Sequence, residues 1–326
     1  MKTLKKKALG FALLIQMLLY CAQSLLLTLL VPLGKKAMLG FSCFSAVAVF
    51  FLPVLIYCKL GGVTLGAVLK PKNENRRTRK PSKTVITFIF AVAMTVTVVN
   101  IFGFLTEAVT ELFGKSAEGA AQSDPVMFVL IFVRNVLIAS VFEELLFRGA
   151  VFDAFGGRSP RVRIAVSALL FALMHYSVGQ FFYALAAGAV IAIFAYVTGS
   201  IIFAVCVHFA QNLTSFVFSV LASVMKESTF STLSSVTFIA FLILALLGAV
   251  YTALLLKNDR IRDESAEGAE SADKGAEATG KSAEKTANGA VFSETVAPVT
   301  DETENKPTVE LWLYIALAAV LSVLNF

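Results

Sequence analysis

Residues 137–152, LIASVFEELLFRGAVF, decide the fold. They set two adjacent carboxylates, Glu143 and Glu144, and one guanidinium, Arg148, inside a helix-length run of Leu, Ile, Val, Phe and Ala. Two further apolar stretches carry the chain's 2 histidines: His175 in SALLFALMHYSVGQFF (167–182) and His208 in SIIFAVCVHFAQNLTSF (200–216). An ionisable group in hydrocarbon costs about 2.5–3.5 kcal/mol on insertion scales, so each is a candidate functional residue. Four such groups on three segments predict one water-handling site.

The surrounding composition agrees with a membrane setting. The 326 residues are 57% hydrophobic and 15% charged, with 29 phenylalanines and a mean hydropathy of +0.79. Soluble chains are about 45–50% apolar and about 25% charged. The fold expected is all-α, a polytopic transmembrane bundle. A span needs about 20 apolar residues, and about eight runs qualify: 8–33, 37–58, 84–106, 126–147, 162–178, 180–198, 200–225 and 235–256. The segment 311–326 is apolar but short, fit to span a thinned bilayer or to lie in the interface. Lys5, Lys6 and Lys7 before the first run resemble a signal-peptide start. That run is too long for one and lacks an A-x-A site, so an uncleaved first helix is expected.

Charge gives the topology. Residues 1–256 carry 21 basic and 9 acidic side chains, and 257–326 carry 7 and 13. The loop 59–83 holds Lys59, Lys70, Lys72, Arg76, Arg77, Arg79, Lys80 and Lys83 against Glu74, which makes it cytoplasmic, with the N-terminus on the same side. The loop 107–125 is acidic and external, and 148–163, with Arg148, Arg158, Arg161 and Arg163, is cytoplasmic again. Lys35 and Lys36 are a minor exception in an outer loop. No aromatic–basic interleaving supports nucleic-acid binding. Cys21, Cys43, Cys58 and Cys206 lack metal-type spacing and read as small packing residues.

Four parts follow: a hairpin with its basic loop (1–83), a transmembrane core (84–256, motifs within 126–225), a tether (257–310) and the apolar end (311–326). The tether is Ala, Glu, Ser, Gly, Lys and Thr with few large apolar residues, a composition that stays disordered. It lies on the cytoplasmic side and offers little folded protein for soluble-face chemistry, so any enzyme activity is expected within the membrane core.

Helical spacing sorts the polar groups. Glu144 and Arg148 are four apart and share a face, while Glu143 points about 100° away. A carboxylate beside a second one in apolar surroundings suits general-base and general-acid work. Phe171 and His175 share a face, as do His208 and Asn212, and the last two can donate hydrogen bonds to a developing oxyanion. Helix rise puts His175 about 18 Å, His208 about 12 Å and Asn212 about 18 Å from the cytoplasmic ends of their spans. Arg134 falls about 180° from Glu143, outside the same cavity, with Asn100 or a lipid phosphate as its suggested partner. Cys206 faces away from His208, and no G-x-S-G or paired aspartates occur in a span, which leaves out the thiol, serine and aspartyl designs.

The ordered set E-E-x-x-x-R (Glu143, Glu144, Arg148), F-x-x-x-H (Phe171, His175) and H-x-x-x-N (His208, Asn212) resembles the CAAX-protease and bacteriocin-processing (CPBP, or Abi) family. That family includes the Ras-converting prenyl endopeptidases. The resemblance implies that Glu143 activates a water, that His175 helps to hold it, and that His208 and Asn212 stabilise the oxyanion. Glu144 would pair with Arg148 and orient the helix. It implies no certain cofactor. Glu143, His175 and His208 could instead hold zinc or another divalent metal, and a metal-free glutamate mechanism is the reading adopted. The substrate would be a membrane-associated peptide or lipidated protein, cut near the cytoplasmic face of the plasma membrane, with a cytoplasmic mouth. Two other functions fit less of the pattern: a silent scaffold or bacteriocin immunity protein of the same fold, and a proton-coupled transporter. The transporter would want repeats and Gly/Pro-broken helices that the spans lack.

Overall fold

The computed structural model describes the backbone of residues 2–69, 81–112, 124–285 and 307–324, and side chains for 2–69, 84–104, 106, 124–257 and 307–323. Among them every regular element is helical. The helices are α1 (Lys2–Leu29), α2 (Lys35–Gly61), the short α3 (Leu65–Leu69), α4 (Pro81–Leu112) and α5 (Pro125–Ala154). They continue with α6 (Pro160–Leu173), α7 (Val178–Thr198), α8 (Ile201–Val224), α9 (Glu227–Lys285) and α10 (Val309–Leu324). Seven of the described helices are long and apolar enough to cross a bilayer. The protein is a polytopic membrane helix bundle.

The chain divides into two units, Met1–Gly248 with Pro307–Phe326, and Ala249–Lys306. Within the second, the backbone is helical from Ala249 to Lys285. Most of the expected tether, residues 258–306, lies outside the described side chains. So do the basic loop from Lys70 to Lys83 and the acidic loop residues Glu107, Glu111, Lys115 and Glu118.

In the first unit, α1 packs against α2 and α10, α6 against α7, and α4 against α7 and α8, while α5 touches α2, α6 and α8. Water does not drive helices together inside lipid, so close approach and polar contacts decide the packing. Gly10 illustrates the first: a Cβ there would come within 2.7 Å of Glu310 Cβ and Leu311 N. That contact seats the apolar end on α1, with Tyr314 fully buried. Large apolar side chains such as Phe44, Ile202 and Leu246 remain exposed, as a lipid-facing surface requires.

Polar contacts mark the two ends of the bundle. At one end, Lys5 Nζ donates to Asp153 (2.8–2.9 Å), Tyr57 Oη–H donates to Asp153 Oδ2 at 2.6 Å, and Arg163 lies over the rings of Phe152 and Tyr196. At the other, Lys36 pairs with Asp124 at 2.6 Å. Lys36, the exception to the charge pattern, therefore has a local counter-ion. Asp124 also caps α5 by accepting from the Val126 N–H, and the Lys36 ammonium holds its carboxyl below the usual carboxylate range.

The fifth expected span, 162–178, needs correction. Helix α6 stops at Leu173 after 14 residues, about 21 Å of rise. The chain turns at His175 and Tyr176 and starts α7 at Val178. Tyr176 takes the left-handed conformation (φ 48°), which costs a residue with a Cβ about 1–2 kcal/mol. Its buried hydroxyl donates to Gln16 Oε1 at 2.6 Å, and its ring lies 4.6 Å from that of Tyr20. Helix α1 thus holds the turn that carries His175 inside the bundle.

Candidate active site

Helix α5 is not uniformly wound. Two wide π-helical stretches, Phe132–Ile138 and Leu145–Val151, flank an α-helical segment, Ala139–Glu144, that ends on the acid pair. Such stretches inside α-helices recur at functional sites.

The acid pair faces two ways. Glu143 borders a cavity of about 580 Å³ together with Phe171, His175, His208 and Asn212, whereas Glu144 and Arg148 lie behind its wall. Glu144 and Arg148 are fully buried. Arg148 Nη1 donates to Glu144 Oε1 at 2.8 Å, and Nη2 donates to the Gly188 carbonyl at 2.8 Å. The same Glu144 oxygen faces His208 Nδ1 at 2.9 Å. A carboxylate that already accepts from arginine can only accept again, so Nδ1 carries the hydrogen. The other nitrogen, Nε2, is turned to the cavity side, 4.0 Å from Glu143 Oε2.

His175 is fixed by its neighbour on α6. Nδ1 lies 2.9 Å from the Phe171 carbonyl, which can only accept, so neutral His175 keeps its lone pair on Nε2. Phe171 is the hub of this arrangement. Its ring meets those of His175 (5.1 Å), His208 (5.8 Å) and Phe147 (5.4 Å), and the Arg148 guanidinium stacks 4.7 Å from its centroid. Gly188 makes room for it: a Cβ there would stand 2.9 Å from Phe171 Cδ1.

Asn212 lines the cavity one turn beyond His208, but its donors do not hang free. Nδ2 donates to the Asn135 carbonyl at 2.7 Å, inside the first wide stretch, with a longer contact of 3.4 Å to Ser140 Oγ.

One expectation changes. Arg134 lines the same cavity as Glu143, although uniform α-helical winding puts it on the opposite side. A π turn takes one residue more than an α turn, which removes about 100° from the predicted 180°. Its partners are Ser42 Oγ (2.6 Å) and Asn135 Oδ1 (2.7 Å), while Asn100 bonds back to the Val96 carbonyl. Among the described residues no group of three His, Cys, Asp or Glu side chains could hold a metal ion. With Nδ1 of His208 on Glu144 and Nδ1 of His175 on a carbonyl, Nε2 of each ring is the nitrogen able to accept or ligate.

The cavity also runs in a definite direction. Its α5 lining lies at or before Glu143 and its α8 lining at or after His208, so it extends toward the Asp124 end and not toward the Lys5–Asp153 end. Residues that sequence reasoning passed over, Gly188, Gln16, Tyr176 and the cavity-lining Gln180, Tyr183 and Gln211, become visible here. Gln16, Gln180 and Gln211 carried a signal, as amides in apolar runs, whereas Gly188 is one small residue among many.

With this geometry in place, comparison with known families is informative. Residues 125–214 match the model of the type II CAAX prenyl endopeptidase, Rce1-like family. The matched stretch is less than half of the chain. It begins at the first residue of α5 and ends within α8, so it contains all three motifs, while α1 to α4 lie outside it. No curated protein and no solved structure matches the chain.

Proposed function

We propose that the protein is an intramembrane endopeptidase that hydrolyses a peptide bond of a membrane-associated substrate with water activated by Glu143. The observation that carries this reading is the shared cavity of Glu143 on α5, His175 in the turn after α6, and His208 and Asn212 on α8. A water between the Glu143 carboxylate and the His175 Nε2 lone pair loses a proton to Glu143 as its oxygen bonds to the scissile carbonyl carbon. The oxyanion formed accepts from His208 Nε2–H when the imidazole is protonated, with Glu144 behind the ring to balance that charge. The Asn212 hydrogen that now makes the long contact to Ser140 is the second donor. Collapse of the intermediate breaks the C–N bond, and Glu143 returns the proton to the leaving amine. Every step uses side chains of this chain.

The same reading assigns Glu144, Arg148 and Phe171 to positioning. It places the protein in the plasma membrane with the Lys5–Asp153 end cytoplasmic. The cavity then lies on the outer side of Glu143, the reverse of the cytoplasmic mouth that helix rise alone suggests. A prenylated CAAX-type peptide, or a bacteriocin-related one, is the substrate class in view.

The test is cleavage of a prenylated CAAX-type peptide by purified protein in detergent, with fragments identified by mass. Wild type is expected to cut at one bond, and Glu143→Ala and His175→Ala to lose turnover while remaining folded. Equal turnover in all three overturns the assignment. A cellular phenotype that survives Glu143→Gln points instead to a silent scaffold.

A further inference from the structure

Helix α10 lies outside the stretch that matches the family model, and the hydrolysis above gives it no part. It buries one stripe, Leu311, Tyr314 and Ala318, and leaves Trp312, Leu317 and Val320 exposed. The stripe packs on α1 and α6. Leucine and alanine there only fill space, but tyrosine brings a hydroxyl. Tyr314 is fully buried, and a buried hydroxyl is costly in apolar surroundings unless it is hydrogen-bonded. It interacts with the hydroxyl of Tyr176, and no other partner is described for Tyr314 Oη. Tyr176 gives its own hydrogen to Gln16 Oε1, so its oxygen is left to accept from Tyr314. A buried polar line therefore runs from α10 through Tyr176 to α1.

Depth agrees with this line. Glu310 meets Gly10 on α1. Tyr314, about 6 Å further along α10, meets the tyrosine bonded to Gln16, about 9 Å beyond Gly10 on α1. The two helices run the same way, and α10 delivers Tyr314 at the level of the turn between α6 and α7.

That turn is where support matters. Tyr176 holds a left-handed backbone (φ 48°), and such a conformation persists only where its surroundings over-determine it. His175 directly precedes it and lines the cavity. One hydrogen bond is described for the His175 ring, between Nδ1 and the Phe171 carbonyl. Movement of Tyr176 thus moves the backbone from which the imidazole is aimed.

Resting on the endopeptidase reading, we propose that Tyr314 is a positioning residue for His175: seated on Tyr176, it holds the turn that points the imidazole at the water beside Glu143. The working enzyme then includes the C-terminal helix as well as the matched stretch.

The chain's 2 histidines make the test direct. Full-length protein without a histidine tag, carrying isotope-labelled histidine in detergent, shows both imidazoles by NMR, and His175→Ala assigns them. Tyr314→Phe keeps the ring and removes only the hydroxyl. It is expected to shift or broaden the His175 signals and leave those of His208 in place. On the prenylated peptide, kcat should fall about tenfold with KM within about twofold, at a melting temperature close to that of wild type. Tyr314→Ala, which also opens the buried stripe, should move the His175 signals further. His175 signals or a kcat unaltered by Tyr314→Phe overturn the proposal. So does equal movement of both imidazoles, or a loss of turnover that only follows the melting temperature, either of which makes α10 a packing element. If wild type cleaves no peptide, the proteolytic reading fails on its own, and the spectra decide this one. A change confined to His175 in Tyr314→Phe then upholds the positioning role, and its absence overturns it.

Discussion

Glu143 and Glu144 are neighbours in sequence, yet they belong to two unlike regions. Glu143 opens onto a cavity of about 580 Å³, within reach of an imidazole whose facing nitrogen is 4.0 Å away. Glu144 sits in a sealed cluster with Arg148, the Gly188 carbonyl and the far side of the same imidazole. One region has room for water and substrate. The other fills its space and satisfies most of its charge internally. His208 is the partition, with one nitrogen in each, so the sealed cluster fixes which nitrogen faces the cavity.

The sharpest way to break this contrast is to open the sealed side. Arg148→Ala leaves Glu144 buried without its cation, a change that costs about 3–5 kcal/mol. The expected outcome is a large drop in the detergent melting temperature together with loss of activity. A melting temperature like that of wild type would show that the cluster is not what holds α5 to α7.

On the cavity side, Asn212→Ala removes a candidate oxyanion donor and one tie to the wide stretch of α5. Turnover is expected to fall about 10²–10³-fold, the usual loss for such a donor. A fall in kcat with little change in substrate affinity marks the transition-state role, whereas a change in affinity alone argues against it.

Gly188→Ala probes the partition itself. The added methyl meets Phe171 at 2.9 Å, and overpacking of this kind costs about 1–3 kcal/mol. Phe171 must shift and take His175 and His208 with it, so activity should fall more than stability. Melting curves and rates on the same preparation separate the two.

The smallest effect is expected far from both regions. Asp124→Asn removes the Lys36 pair at an exposed helix start, where ion pairs contribute little. Because the carboxyl is held below its usual range, the pair stabilises the fold above that range and loses its effect as pH falls through it. Wild type and variant should therefore differ slightly near neutrality and converge in acid, as read by thermal melts across pH.

Much of this was legible in the chain. Polar residues are scarce in the spans, so Glu143, Glu144, Arg148, His175, His208 and Asn212 stand out, and i, i+4 spacing predicts the Glu144–Arg148 contact at 2.8 Å. The wide stretches of α5 were not legible. Hydrophobic periodicity does not register one extra residue in a turn, so Arg134 was placed on the wrong side and the Asn212 bond to Asn135 went unseen. The early end of α6 was hidden too. Between Leu173 and Val178 there is neither proline nor glycine, and the break is held by Tyr176 reaching Gln16, 160 residues away. Contacts of that range leave no local mark.

The most direct measurement of the central claim compares Glu143→Gln with Glu144→Gln in one detergent, recording peptide turnover and melting temperature for each. The division of the acid pair predicts that Glu143→Gln loses turnover by about 10²–10⁴-fold and melts like wild type. It predicts that Glu144→Gln melts markedly earlier. Turnover that survives Glu143→Gln, or two variants that behave alike in both readouts, would contradict it.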